Sequence, residues 1–146
     1  MYQPIHVYFP AVIAAVVASF FLGWLWYGPL FGKKWAGLMG MATDAKPDAK
    51  VMMRGMALMV LGTFLTAYVL LHASEIWRPS VWDKGADAPF YFYGFFSAFF
   101  TWIGFYVPML LGAVAWEGRS WGLFRINAAY HFVNLQLIGM ILAYWR

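Results

Sequence analysis

The charged side chains of this chain are spaced so that they leave four long gaps. No Asp, Glu, Lys or Arg occurs in residues 1–32, 55–74, 88–116 or 126–145. A helix must run for about 20 apolar residues to cross a hydrocarbon layer about 30 Å thick. Each gap meets that length, and no other uncharged stretch of the chain does. Inside hydrocarbon the backbone N–H and C=O groups find no water, which leaves helices as the way for such runs to satisfy them. The pattern predicts an all-α membrane protein: a four-transmembrane-helix bundle with spans at about residues 10–28, 51–73, 90–116 and 121–145. At 146 residues the bundle is a single domain. Charged residues make up 11% of the chain, against about 25% in soluble domains, and the shortfall is what creates the gaps.

The span ends carry their own signals. FLGWLWYGPLFGKKWAGLMG, Phe21 to Gly40, places Trp24, Trp26 and Tyr27 where the first helix leaves the hydrocarbon. Amphipathic rings prefer the headgroup level, so these three, with Lys33, Lys34 and Trp35 beyond them, are expected to anchor the interface. Gly28-Pro29 is expected to end or kink the helix, because proline disfavours helix in the residue before it. Past the break, Phe31, Trp35, Leu38 and Met39 recur at helical spacing opposite the Lys pair, which predicts a short interfacial helix after the first span. The N-terminal segment has no basic region and no early cleavage site, so it reads as a retained span instead of a cleaved signal. MATDAKPDAK, Met41 to Lys50, is a polar linker, and EGRS, Glu117 to Ser120, is a tight turn. Between them SEIWRPSVWDKGADAP, Ser74 to Pro89, sets Trp77 and Trp82 at the far interface. Pro108 in the long third span predicts a kink or tilt.

Orientation follows from the basic residues. Lys33, Lys34, Lys46, Lys50, Arg54, Arg119 and Arg125 fall on one side, and Arg78, Lys84 and Arg146 on the other. An excess of Lys and Arg marks the cytoplasmic side, which puts both termini outside. The net charge of +4 is modest and sits in loops, so the lipid bilayer is the expected partner and nucleic acid is not.

Lipid gives apolar helices no drive to associate, so small residues and buried polar contacts must supply it. The first span offers Ala11, Ala14, Ala15, Ala18 and Ser19, and the second Gly55, Gly62, Thr63 and Thr66. In the third, Ser97, Thr101, Gly104, Pro108 and Gly112 form one stripe if the helix is regular, amid a crowd of Phe and Trp.

Groups able to do chemistry are few. Glu75 and Glu117 lie at span ends, and Asp44, Asp48, Asp83 and Asp87 lie in loops. No carboxylate stands near the midplane, where proton-coupled transporters commonly use one. The chain has no Cys, which removes disulfides and thiolate nucleophiles, and it has no Gly-rich phosphate loop. His6 and His72 on the far side are too few for a metal site. The chain is therefore expected to be no enzyme, with no cofactor and no metal centre. One constellation remains. In NAAYHFVNLQ, Asn127, His131 and Asn134 share a helix face, and His131 falls near the middle of the fourth span. An intramembrane ionisable residue is a functional candidate by default. The structural alternative is a histidine bonded to Thr66 or Thr101 of a neighbouring helix. The face is expected to point into the bundle or a protein contact, opposite Ser97, Thr101 and Gly104.

The opening WLWYGPLFGKKWAGLMG and the closing AAYHFVNLQLIGMILAYWR resemble a small integral-membrane family of bacteria and fungi, a domain of unknown function numbered seventeen sixty-one. The matching residues are Trp26, Tyr27, Gly28, Pro29, Phe31, Gly32, Lys33, Trp35 and His131. The resemblance implies a four-helix membrane protein and no particular activity; the bacterial inner membrane is the expected location. Three roles fit the residues: a packing, assembly or binding module in a homo-oligomer or larger membrane complex; an oligomeric small-molecule or ion transporter with His131 as polar centre; or a cofactor-ligating accessory subunit of a redox or photosynthetic complex. The charge count makes one outcome testable. A cysteine placed at Ala45 should resist a membrane-impermeant thiol reagent added to intact cells, and efficient labelling there would invert the orientation.

Overall fold

The computed structural model describes residues 4–42, 44, 46 and 48–145; the labelling position Ala45, Pro47 of the polar linker and the counted Arg146 lie outside the described residues. The helices are α1 (Phe9–Leu25), α2 (Gly32–Leu38), α3 (Ala49–Ile76), α4 (Phe90–Thr101), α5 (Val107–Glu117) and α6 (Trp121–Tyr144), with no strand among the described residues. A π-helical turn, Trp26–Leu30, extends α1, and another, Trp102–Tyr106, joins α4 to α5. Four continuous helices are long and apolar enough to cross a membrane: Phe9–Leu30, Ala49–Ile76, Phe90–Glu117 and Trp121–Tyr144. These are the first to fourth spans, and α2 is the short helix expected after the first.

Both π turns belong to prolines. Proline lacks an N–H, and its ring presses on the carbonyl four residues back. A turn one residue wider moves that carbonyl aside, and such bulges accompany many helix irregularities. Around Pro29 the wide turn is closed by Phe31 N donating to Trp26 O at 2.8 Å. The first helix thus runs past Gly28-Pro29 and breaks at Phe31 (φ −123°, ψ 3°). Gly32 follows because a Cβ there would lie 2.5 Å from the Tyr27 carbonyl oxygen. The second π turn ends at Tyr106, two residues before Pro108, and produces its irregularity without ending the span.

The fourth span has the lowest hydropathy of the four, and it takes the centre. Half of its most apolar window is buried, against 6% for the third span. It packs on α1, α3 and α4. Val12, Leu70, Leu135 and Ile138 fill the core, with Ala11, Ala15, Ala67 and Ala98 between them. At the α4–α6 crossing two backbones touch: a Cβ on Gly139 would sit 2.5 Å from Gly94 O, and one on Gly94 would sit 2.9 Å from Gly139 O. Leu38 packs on Gly122 and Arg119 Nη1 reaches Met39 Sδ at 3.9 Å, so the first and third loops share one end of the bundle. At the other end the rings of Phe90 and Tyr144 meet at 5.3 Å.

The small-residue faces divide. Ala11, Ala15 and Ser19 of the first span are buried. In the second span the buried positions are Ala67, Leu70, Leu71, Ser74 and Glu75, while Gly55 and Gly62 look onto open space. The third-span stripe is broken. Ser97 is buried, but Gly104 and Gly112 meet nothing, because the π turn after Thr101 adds a residue and rotates everything beyond it off the expected line.

The far loop holds a buried ion group. Arg78 is 3% exposed; its Nε meets Glu75 Oε1 at 2.8 Å and its Nη1 meets Asp87 Oδ2 at 3.5 Å. Its guanidinium also lies 4.2 Å from the centre of the Tyr93 ring. Ser80 N and Oγ both donate to Asp87, each at 2.9 Å. Arg78, counted from sequence only as a basic residue of its side, is thus a structural tie between the end of α3 and the start of α4.

The glycine crossing yields a test. Overpacking a tight contact costs about 1–3 kcal/mol. Gly139→Ala should lower the apparent Tm in detergent by several degrees, whereas Gly62→Ala should leave it unchanged. Equal melting curves for the two variants would contradict the crossing.

Candidate functional site

The fully buried residues of α3 begin at Ala67, and α5 buries no residue. Towards the end where the first and third loops lie, these two helices therefore stand off from α6. Between them lies a cleft of about 570 Å³ with Asn127, Tyr130 and His131 on its floor, Met59, Leu110 and Val114 on its sides, and Trp35, Met39 and Arg119 at its mouth. A recess of about 180 Å³ continues it past Thr63, Thr66 and Tyr106 to Asn134. His131 is ten residues into α6, or about 15 Å along the helix axis. The polar face foreseen for the fourth span, Asn127, His131 and Asn134, is thus deep in the bundle and borders cavities.

Hydrogen bonds and rings hold the floor in place. Tyr27 Oη donates to Asn127 Oδ1 at 2.8 Å. The Tyr27 and Tyr130 rings lie 4.8 Å apart, and Trp26 is 6.1 Å from Tyr130. His131 sits between Tyr106 at 4.7 Å and Tyr130 at 5.2 Å, measured between ring centres. Thr66 Oγ1 donates to Gly62 O at 3.0 Å and lies 3.3 Å from Tyr106 Oη. Thr66 therefore supports His131 through the Tyr106 ring, and neither Thr66 nor Thr101 bonds the imidazole. His131 forms no hydrogen bond with any described residue. Asn134 is 8% exposed and its Oδ1 has no hydrogen-bond partner among the described residues. Arg119 is solvated at the mouth and pairs loosely with Glu117 at 3.7 Å, a contact worth under about 1 kcal/mol.

The family model described as protein of unknown function (DUF1761) matches residues 10–143, which covers all four spans. The chain belongs to this family. No curated protein and no solved structure matches it. In this DUF1761 chain the two stretches that carry the resemblance, at the end of the first span and in the fourth, meet at the cleft through Trp26, Tyr27, Asn127 and Tyr130.

Other foreseen residues sit elsewhere. Ser97 Oγ donates to Tyr93 O at 2.6 Å within its own helix. With Thr101 it lines a separate groove beside Ala73, Ser74 and Trp77, so neither residue faces His131. The DUF1761 ring cluster also divides. Trp24 is 66% exposed and Lys33 and Lys34 are exposed, as interfacial anchors would be. Trp26, Tyr27 and Trp35 turn inward instead, Tyr27 lying 5.4 Å from Trp35, because the phenol finds Asn127 across the bundle. No group of three or more metal-ligating side chains occurs among the described residues.

Tyr27, Tyr106 and Tyr130 were not singled out as part of the polar face. Tyr130 directly precedes His131 in sequence and was the available signal, whereas Tyr106 reaches the site through the π turn. Interhelical hydrogen bonds in bilayers average only about 0.6 kcal/mol. Tyr27→Phe should therefore reduce stability, measured by denaturant titration in mixed micelles, by less than about 1 kcal/mol. A larger loss would mean that the Tyr27–Asn127 bond also holds the fold together.

Proposed function

We propose that this protein is a non-catalytic binding module of a bacterial inner membrane, with both termini outside, and that its cleft receives a small amphipathic molecule. One observation carries the reading. His131 has no hydrogen-bond partner among the described residues and faces a cleft, next to an Asn134 whose carboxamide oxygen is likewise unpaired. An unpaired polar group at membrane depth costs free energy, and internal hydrogen bonding, which would explain a purely structural histidine, is absent at this ring. A ligand with a polar end supplies the partner. The side chains of the floor are hydroxyl, amide and imidazole, which bind and orient; the imidazole is itself a base, but no carboxylate stands with it to orient it and no thiol to serve as nucleophile.

Self-association is the second reading, favoured by the exposed Gly55, which leaves room for a close approach of another helix on α3. Native mass spectrometry from mild detergent reads both. The wild type is expected to carry a small molecule that His131→Leu loses without a fall in apparent Tm. The same spectra give the oligomeric state. A ligand-free wild type, or a variant that retains the ligand fully, would defeat the binding reading.

A further inference from the structure

The chemistry of the cleft narrows its occupant, provided the binding reading above stands. The floor residues Asn127, Tyr130, His131 and Asn134 carry no charged group. Amide, phenol and uncharged imidazole each donate and accept hydrogen bonds. The one ion on the lining is Arg119, which stays at the mouth with a 43% exposed side chain and has Glu117 beside it. A phosphate or carboxylate drawn down to His131 would leave water behind and meet no permanent cation, only an imidazole that must itself be charged in a buried place, which is unfavourable at low dielectric. A quinone carbonyl accepts but does not donate, and it leaves the Asn134 oxygen unpaired. A hydroxyl does both and answers both unpaired groups.

Two apolar grooves meet at this floor, and Met59 and Tyr130 line both. One, of about 250 Å³, lies between the first and second spans beside Val16 and Val60. The other is the cleft itself, flanked by Leu110 and Val114. The inner-half residues of α3 from Val51 to Leu61 are exposed, so a molecule in the surrounding lipid reaches both grooves sideways without crossing a loop. We infer that the cleft takes a neutral two-chain lipid with a free hydroxyl head, of the diacylglycerol type. Its hydroxyl bonds His131 and Asn134, and its chains lie in the two grooves.

The test is a competition on the purified full-length protein in detergent, followed by native mass spectrometry. The probes are a dioleoylglycerol, a dioleoyl phosphatidylglycerol and a short-chain ubiquinone. The diacylglycerol is expected to bind at least tenfold more tightly than either rival. His131→Leu and Asn134→Leu should each weaken it about tenfold, and His131→Gln, which keeps a donor and an acceptor, should recover part of the loss. Phe100→Ala, in the separate groove of the third span, should change nothing. Tighter binding of phosphatidylglycerol or quinone that still depends on His131 would overturn the hydroxyl-lipid inference and keep the binding module. Diacylglycerol binding untouched by all three variants at the floor would also overturn it. Failure of all three probes would overturn the hydroxyl-lipid inference, and with no molecule retained from the cell it would overturn the binding module as well.

Discussion

Hydrocarbon solvates a leucine about as well as a protein interior does, so this bundle cannot be held together by hiding apolar surface. What remains is close backbone contact and the pairing of polar groups that lipid cannot satisfy. Both fall on the fourth span. It brings Gly139 against Gly94, accepts the indole N–H of Trp102 at Ala128 O at 2.9 Å, and sends Gln136 Nε2 to Phe95 O at 3.3 Å. The least apolar helix loses most by facing lipid, and it is the most enclosed. The first, second and third spans are arranged around it, with most of their Phe, Met and Leu side chains exposed.

Proline then shapes the periphery. Pro29 and Pro108 each bring a π turn, and the two turns have different consequences. The first carries the chain inward, so that Tyr27 meets Asn127 and α2 folds back over the start of α6. The second rotates the end of the third span, bringing Tyr106 onto His131 and turning Gly104 away. The cleft exists because α5, past its turn, no longer follows the packing line of α4.

The fold was legible in the sequence because charge spacing alone decides which segments can enter a bilayer. The depth and register of Asn127, His131 and Asn134 were legible too, since α6 is regular from end to end. What escaped was whatever depends on a register shift or a long-range pairing. Ser97 and Thr101 were aligned with Gly104 by assuming an unbroken helix, and one added residue at Trp102–Tyr106 separates them from His131. Trp26 and Tyr27 looked like headgroup anchors because their partners lie about a hundred positions away, and no local pattern reports such a pairing. Arg78 was counted only as a basic residue of its side, and its role as a tie escaped for the same reason. Glu75 is within one helical turn of it, but Asp87 and Tyr93 arrive only when the loop folds.

The Arg78 tie also fixes the mechanics of the second span. At one end α3 is fastened by Glu75, Arg78 and Asp87 and wedged by Leu70 and Leu71. At the other, Val51 to Leu61 are all exposed, and Met59 and Val60 only border open grooves against the first span. A rod pinned at one end and immersed at the other takes its angle from the surrounding fluid. The wall that Met59 gives the cleft therefore has little protein packed behind it, and the surroundings of the second span become part of the geometry at His131.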